Sequence, residues 1–298
     1  MTEPEVLDLF SRCSDKQRWG PQDSGGTLNL ITEECRRQAA ALITLGRTVS
    51  LAQVLSTVAS VTNTSPVQLK MIDVGERADI TCMDAVTINC HGVTITHLDA
   101  IGHMYFEDQM YNGRSASEQI GPAGLGFADV FPLSAGIFTR GVLLDITAVR
   151  GVDWLEAGDG VTAADLDQAE AVSGTEVRSG DVIFVHTGTE RREAAIGLSP
   201  PVRRAGLTPD CLPWIFEREV AVYSGDCTEQ IPSGYDRVPY PLHQIGFVAF
   251  GLVLLDNPAL TGLVAACHEL GRSEFAVTCA ALPLPGATGS PVNPLALF

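Results

Sequence analysis

Two short apolar runs, Gly141-Val-Leu-Leu-Asp-Ile146 and Asp181-Val-Ile-Phe-Val-His186, constrain this chain more than any other feature. Continuous apolar runs of this length suit strands covered on both faces, and such strands need helices packed on either side. The stretch between them supplies one. Thr162 to Val172 is helix-like, with Thr162 and Asp165 spaced as a capping box and Gly174 just past the end. The alternation continues through Val220–Ser224 and Gly251–Leu255 as strands, Pro258–Leu270 as a helix and Glu274–Cys279 as a strand. Upstream, residues 32 to 45 read as a helix capped by Thr32 and ended by Gly46, followed by extended chain from Arg47 to Leu55. From Val86 to Asp99 the β-branched content predicts a further strand. The pattern is α/β throughout.

No repeat, low-complexity segment or linker-like run divides the 298 residues, so one domain over 1–298 is the expected organisation. Residues 1–50 would form an N-terminal arm and helix. The turn-rich tail at 283–298 would form a C-terminal strap across the surface or the site.

Acidic residues outnumber basic ones 36 to 19, for a net charge of -17. That field repels phosphate backbones and anionic lipid, so nucleic acid and membrane are not expected partners. The eight cysteines include no Cys-x-x-Cys pair, which argues against a zinc ribbon or a disulfide scaffold. The acidic amino terminus does not read as a signal peptide, and no apolar stretch approaches the length of a membrane span. A reducing cytoplasm is the expected location.

Chemistry concentrates in one place. Three of the six histidines lie between residues 91 and 103. In extended chain, residues two apart share a face, so His91, His97 and Asp99 can point the same way, and one tight bend returns His103 to them. Mixed nitrogen and oxygen donors of this kind suit zinc or manganese. Among the other histidines, His268 falls on a helix surface, His186 ends a strand where it can meet a carboxylate, and His243 precedes a buried-looking strand that ends at Asp256.

The segment His91-Gly-Val-Thr-Ile-Thr-His97-Leu-Asp99-Ala-Ile-Gly-His103, followed by Tyr111-Asn-Gly113, resembles the cyclase family of metal-dependent hydrolases, which includes bacterial kynurenine formamidases and isatin hydrolases. The likeness runs from Arg18-Trp-Gly-Pro through Gly180-Asp-Val-Ile-Phe-Val-His186 to Thr288-Gly-Ser-Pro-Val-Asn-Pro294, and is greatest to the longer members. It implies a swivelling β/β/α fold around a central mixed sheet. By the same resemblance His97 and Asp99 match metal ligands, His103 matches a second-metal ligand or a catalytic base, His243 matches a downstream histidine, and Asp256 stands where the family has a Glu. Shorter members carry a His four residues before the central one. Here that position is Val93, and His91 serves instead only if a bulge or loop brings it into reach.

The implied cofactor is zinc or manganese, one or two ions per chain, and the implied reaction is cleavage of a small amide, cyclic amide or lactone by metal-activated water. Trp19, Phe106 and Tyr111 would supply flat walls for an aromatic substrate. The resemblance also implies a homodimer or homotetramer. A cyclase or dehydratase in secondary metabolism is the rival reading, because the same site can activate a carbonyl without cleaving it; a non-catalytic metal-binding protein is a third. No Gly-x-Ser-x-Gly elbow is present for a serine hydrolase. The one glycine cluster, at 121–126, lacks the spacing and the lysine of a phosphate loop.

Overall fold

A computed structural model describes residues 1–73 and 82–298. Nine strands form the main sheet: β1 (Thr48–Ser50), β2 (His97–Asp99), β3 (Ile137–Asp145), β4 (Val182–His186), β5 (Val222–Gly225), β6 (Val253–Asp256), β7 (Glu274–Cys279), β8 (Gly289–Pro291) and β9 (Leu295–Leu297). Their spatial order is β1-β9-β7-β3-β4-β5-β6-β2-β8. The four central strands, β3 to β6, run parallel, and antiparallel strands extend the sheet on both sides. The architecture is therefore α/β around a mixed sheet, as the sequence pattern predicts.

The parallel strands are apolar because both faces are covered. Val142, Leu144, Ile183, Phe184, Val222 and Leu254 are all within 1% of complete burial, and each such side chain contributes roughly 1.5–3 kcal/mol of transfer free energy. On this sheet Arg140 of β3 forks onto Asp181, Nε to Oδ1 at 3.0 Å and Nη2 to Oδ2 at 2.7 Å, and reaches Glu274 through Nη1 at 2.8 Å.

The helix over Ala163–Ser173 forms as its capping box predicts: Thr162 Oγ1 accepts from the Asp165 amide, Asp165 accepts from the Thr162 amide, and Gly174 closes it in the left-handed region at φ 65°. Other expectations are trimmed. The helix that starts at Thr32 spans Glu33–Ala41 and stops short of Gly46, because the Leu42 and Ile43 amides bond only three residues back, to Ala39 and Ala40. Of the extended stretch 47–55, only Thr48–Ser50 finds a partner, in β9.

The predicted strand from Val86 to Asp99 is two separate pieces. Met83–Thr87 pairs with Gln68–Asp73 in a ribbon of its own, residues 88–96 form a loop, and only His97–Asp99 joins the sheet. Thr94 and its β-branched neighbours serve that loop rather than a ladder: Thr96 Oγ1 donates to Asn257 O at 2.8 Å, and Asn257 Nδ2 donates to Gly92 O at 2.9 Å. The tail is also more than a strap. It contributes β8 and β9, and β8 lies directly against β2.

In register, Asp145 is paired with His186, and Gly225 with both Val185 and Asp256. Polar residues thus collect at the carboxyl ends of the parallel strands, where open α/β sheets bind their ligands. No helix among the described residues is long and apolar enough to cross a membrane.

Candidate metal centre

β2 enters beside β6 in the antiparallel sense, so that His97 and Asp256 are paired across the strands. His97, Asp99 and Asp256 are 3%, 1% and 7% exposed, respectively. His97 Nδ1 lies 2.8 Å from Ile95 O. A carbonyl only accepts, so Nδ1 carries a proton and Nε2 is the nitrogen turned toward the carboxylates. That Nε2 lies 3.3 Å from Asp99 Oδ1.

His91 returns through the 88–96 loop. Its Nε2 lies 2.8 Å from Thr288 Oγ1, and its Nδ1 lies 2.9 Å from Asp99 Oδ1. The ring fits because residue 289 is glycine: a Cβ there would stand 2.7 Å from His91 Cε1 and 2.9 Å from Leu98 O. His243 arrives from the short helix Pro241–Ile245. Its Nδ1 donates to Glu229 Oε1, while its Nε2 faces Asp256 Oδ2 at 3.2 Å and Asp99 Oδ2 at 3.6 Å. Glu229 also accepts the Leu242 amide at 2.8 Å, which ties it to the same helix. His103 stacks on His91 with centroids 3.8 Å apart.

Two overlapping triads result, His91–His97–Asp99 and Asp99–His243–Asp256, with the ligand atoms of each within 4.8 Å of one another and Asp99 common to both. Three buried atoms at their centre, His91 Nδ1, Asp99 Oδ1 and Asp256 Oδ1, make no well-aligned hydrogen bond, although the first two lie 2.9 Å apart. Buried polar atoms are rarely left this way unless an ion or water completes them. The donors also match a divalent ion in kind, imidazole nitrogens backed by a carbonyl or a carboxylate together with carboxylate oxygens.

The electrostatics agree. Burial disfavours charge on the imidazoles, yet the Asp99 carboxylate overrides it and raises His91 to about 10 and His97 to about 9. His243 is raised well above its ordinary value against the same burial, by Glu229 and Asp256. Asp99 is held well below the usual carboxylate range, because the surrounding imidazoles outweigh its burial. The cluster draws in positive charge, and a divalent cation satisfies that demand as protons do. His103 goes the other way. Burial together with the cationic His91, His243 and His97 lowers it to about 4, in spite of Asp99.

Of the residues singled out in the sequence, His91, His97, Asp99, His103, His243 and Asp256 line one cavity of about 210 Å³. Val93 lines it as well, so the loop supplies His91 in spite of the missing histidine at 93. The aromatic residues stand elsewhere. Tyr111 is fully buried in the core with its hydroxyl donating to Asp23 Oδ2 at 3.0 Å, Phe106 stacks on Phe10 at 4.5 Å, and Trp19 packs partly buried on the core beneath Arg18. None of the three lines the cavity, whose apolar wall comes from Val93, Met104 and Ile231 with Tyr240 at the rim. Glu229 and Arg204, also in the lining, carry no sequence signal; the acid sits in an ordinary polar run, Thr228-Glu229-Gln230.

Comparison with known proteins agrees with this geometry. The Cyclase family model matches residues 30–229. A solved structure described as a novel cyclase superposes with a TM-score of 0.85 at 28% identity, covering 96% of this chain and 99% of its own. Isatin hydrolase A from Labrenzia aggregata, bound to benzyl benzoate, gives a TM-score of 0.60 at 17% identity over 87% and 94% of the two chains. A structure described as a potential metal-dependent hydrolase with cyclase activity gives 0.51 at 15% identity over 84% and 96%. No curated protein gave a significant match. With the family model matching most of its length and the fold matching from end to end, this chain belongs to the cyclase family.

Proposed function

We propose that this protein is a metal-dependent hydrolase that opens a small amide, cyclic amide or lactone. The observation that carries the reading is the convergence of three histidines on Asp99 and Asp256 in one cavity, with His103 beside them. His91, His97, Asp99, His243 and Asp256 would hold the ion. When bound, zinc or manganese supplies Lewis acidity toward a carbonyl oxygen and makes water more acidic.

The protein's own groups do the rest. Glu229 fixes the ring of His243 through Nδ1, and Ile95 O does the same for His97, so both present Nε2 to the cavity. His103, on the cavity wall against His91, accepts a proton from the attacking water and returns it to the departing nitrogen or oxygen. Met104, Ile231 and Val93 give the reacting carbonyl an apolar wall to pack against.

Metal-loaded and chelator-treated protein incubated with formanilide, isatin and an aryl lactone tests the reading. Cleavage of at least one substrate, abolished by chelation and restored by zinc or manganese, is the expected result. A protein that retains no stoichiometric metal and gains no stability from it would overturn it.

A further inference from the structure

Arg204 is only 8% exposed, and it forms no ion pair among the described residues. Its hydrogen bonds leave from one nitrogen alone: Nη2 reaches Asp226 O at 3.3 Å and Cys227 Sγ at 3.4 Å. The carboxylate of Asp226 is committed elsewhere, accepting from the Thr187 amide and hydroxyl, each at 2.8 Å, and from the Gly188 and Thr189 amides at 2.9 and 3.0 Å. A guanidinium cannot shed its charge; Glu193 and Asp226 support it from nearby, but among the described residues no carboxylate pairs with it directly.

The location gives this residue a purpose. Arg204 lines the 210 Å³ metal cavity and also a neighbouring 310 Å³ cavity. The two share Val93, Arg204 and Asn257, and the second has a mixed wall, with the neutral polar Gln53, Ser56 and Asn63 on one side and Glu190, Glu193 and Leu198 on the other. The guanidinium therefore stands at the junction, with Nε and Nη1 making no hydrogen bond among the described residues. Its planar fork matches a carboxylate through two parallel bonds.

We propose that Arg204 is the anion-recognition residue of this site and that the substrate is a small amide or lactone bearing a carboxylate. Arg204 holds the carboxylate, the scissile carbonyl lies toward Asp99 and His103, and any remaining polar group extends into the second cavity. The identity of the scissile bond rests on the hydrolase reading above; the recognition of an anion at Arg204 does not.

The test is calorimetric titration of metal-loaded protein with benzoate and with benzamide, in the wild type, Arg204→Gln and Arg204→Lys, with metal content and thermal melting followed in parallel. Wild type is expected to favour benzoate by about tenfold or more, as a charge-assisted pair implies. Arg204→Gln should abolish the preference at unchanged metal content, and Arg204→Lys should retain part of it. Equal binding of the two probes by the wild type overturns the proposal whatever the variants do. A preference that survives in Arg204→Gln overturns it too, because the carboxylate is then read by the metal alone. Turnover of 2-formamidobenzoate against formanilide separates the two readings. Cleavage of both at equal kcat/KM removes the carboxylate from the substrate class and leaves the hydrolase standing. Cleavage of neither, nor of isatin or the aryl lactone, with the benzoate preference intact, removes the hydrolase and leaves the anion site.

Discussion

His91 and His103 stack face to face, ring centroids 3.8 Å apart and planes 3° from parallel. Two imidazoles in that contact resist being charged together. Asp99 settles which one is, by drawing His91 up to about 10 while His103 falls to about 4. The pair divides into a member bound to the carboxylate side and a member free to exchange protons, the separation expected of a ligand next to a base.

His103→Ala should accordingly lower kcat by about 10² to 10⁴, the usual contribution of general acid–base catalysis, without lowering metal content. Elemental analysis beside steady-state kinetics checks this, and loss of metal from the variant would make His103 a ligand instead.

Gly289→Ala should weaken metal binding without altering any donor. The new Cβ would stand 2.7 Å from the His91 ring and 2.9 Å from Leu98 O, so the ring or β8 must move. A competition titration against a chromogenic chelator should show weaker retention, and Ala at 289 with wild-type affinity would mean that His91 does not contribute.

Glu229→Gln leaves the volume unchanged but weakens the grip on His243 Nδ1. Partners of this kind are worth about 10- to 100-fold in metal affinity. The same titration, run with a melting curve to show the fold intact, is the measurement.

The Arg140–Asp181 fork is a buried pair, with side chains 9% and 5% exposed. Asp181→Ala leaves the guanidinium with the half-exposed Glu274 alone and should cost about 3 kcal/mol in urea unfolding, the low end for a broken buried pair. Arg140→Met combined with Asp181→Leu should recover much of that loss, since an apolar pair asks for no counter-charge.

Asp145 and His186 meet at the ends of β3 and β4, carboxylate Oδ1 to Nδ1 at 2.8 Å. His186 is raised from 6.5 by Asp145 and Asp226, against its burial. Its share of stability is therefore full below pH 6.5 and is lost as pH rises through the elevated value. Asp145 is lowered from 3.8 by His186 and Thr147, again against burial, so its share is present above pH 3.8 and fades as pH falls through the depressed value. His186→Gln should flatten the decline in stability on the alkaline side of 6.5. Unfolding midpoints between pH 5 and 9 read it, and an unchanged slope would deny the coupling.

Local rules carried far where the structure itself is local. The Thr162 cap, the Gly174 stop and the apolar runs of β3 and β4 are decided by residues near them in sequence, so their spacing is visible in the sequence. His97-x-Asp99 was legible for the same reason. The stretch from Val86 to Asp99 misleads because β-branched residues suit any half-buried surface, here a loop wall around a cavity, and not only a ladder. Glu229 and Arg204 were hidden for a different cause. Their surroundings are assembled by parallel strands that cross the whole fold, and a lone acid or arginine in a polar loop looks the same whether it ends at a metal centre or in solvent. The aromatic walls proposed from Trp19, Phe106 and Tyr111 illustrate the converse, since the most apolar candidates go to packing.

Asn257 follows Asp256 directly, adopts φ 53° and holds the loop that delivers His91 through Gly92 O. One turn of backbone thus carries a candidate donor on one side and the fastening of another candidate donor's loop on the other. Moving Asp256 to admit a larger ion or a longer side chain drags that fastening with it. The centre therefore resists adjustment one residue at a time, and Asp256→Glu would need the 88–96 loop to be reset in the same step.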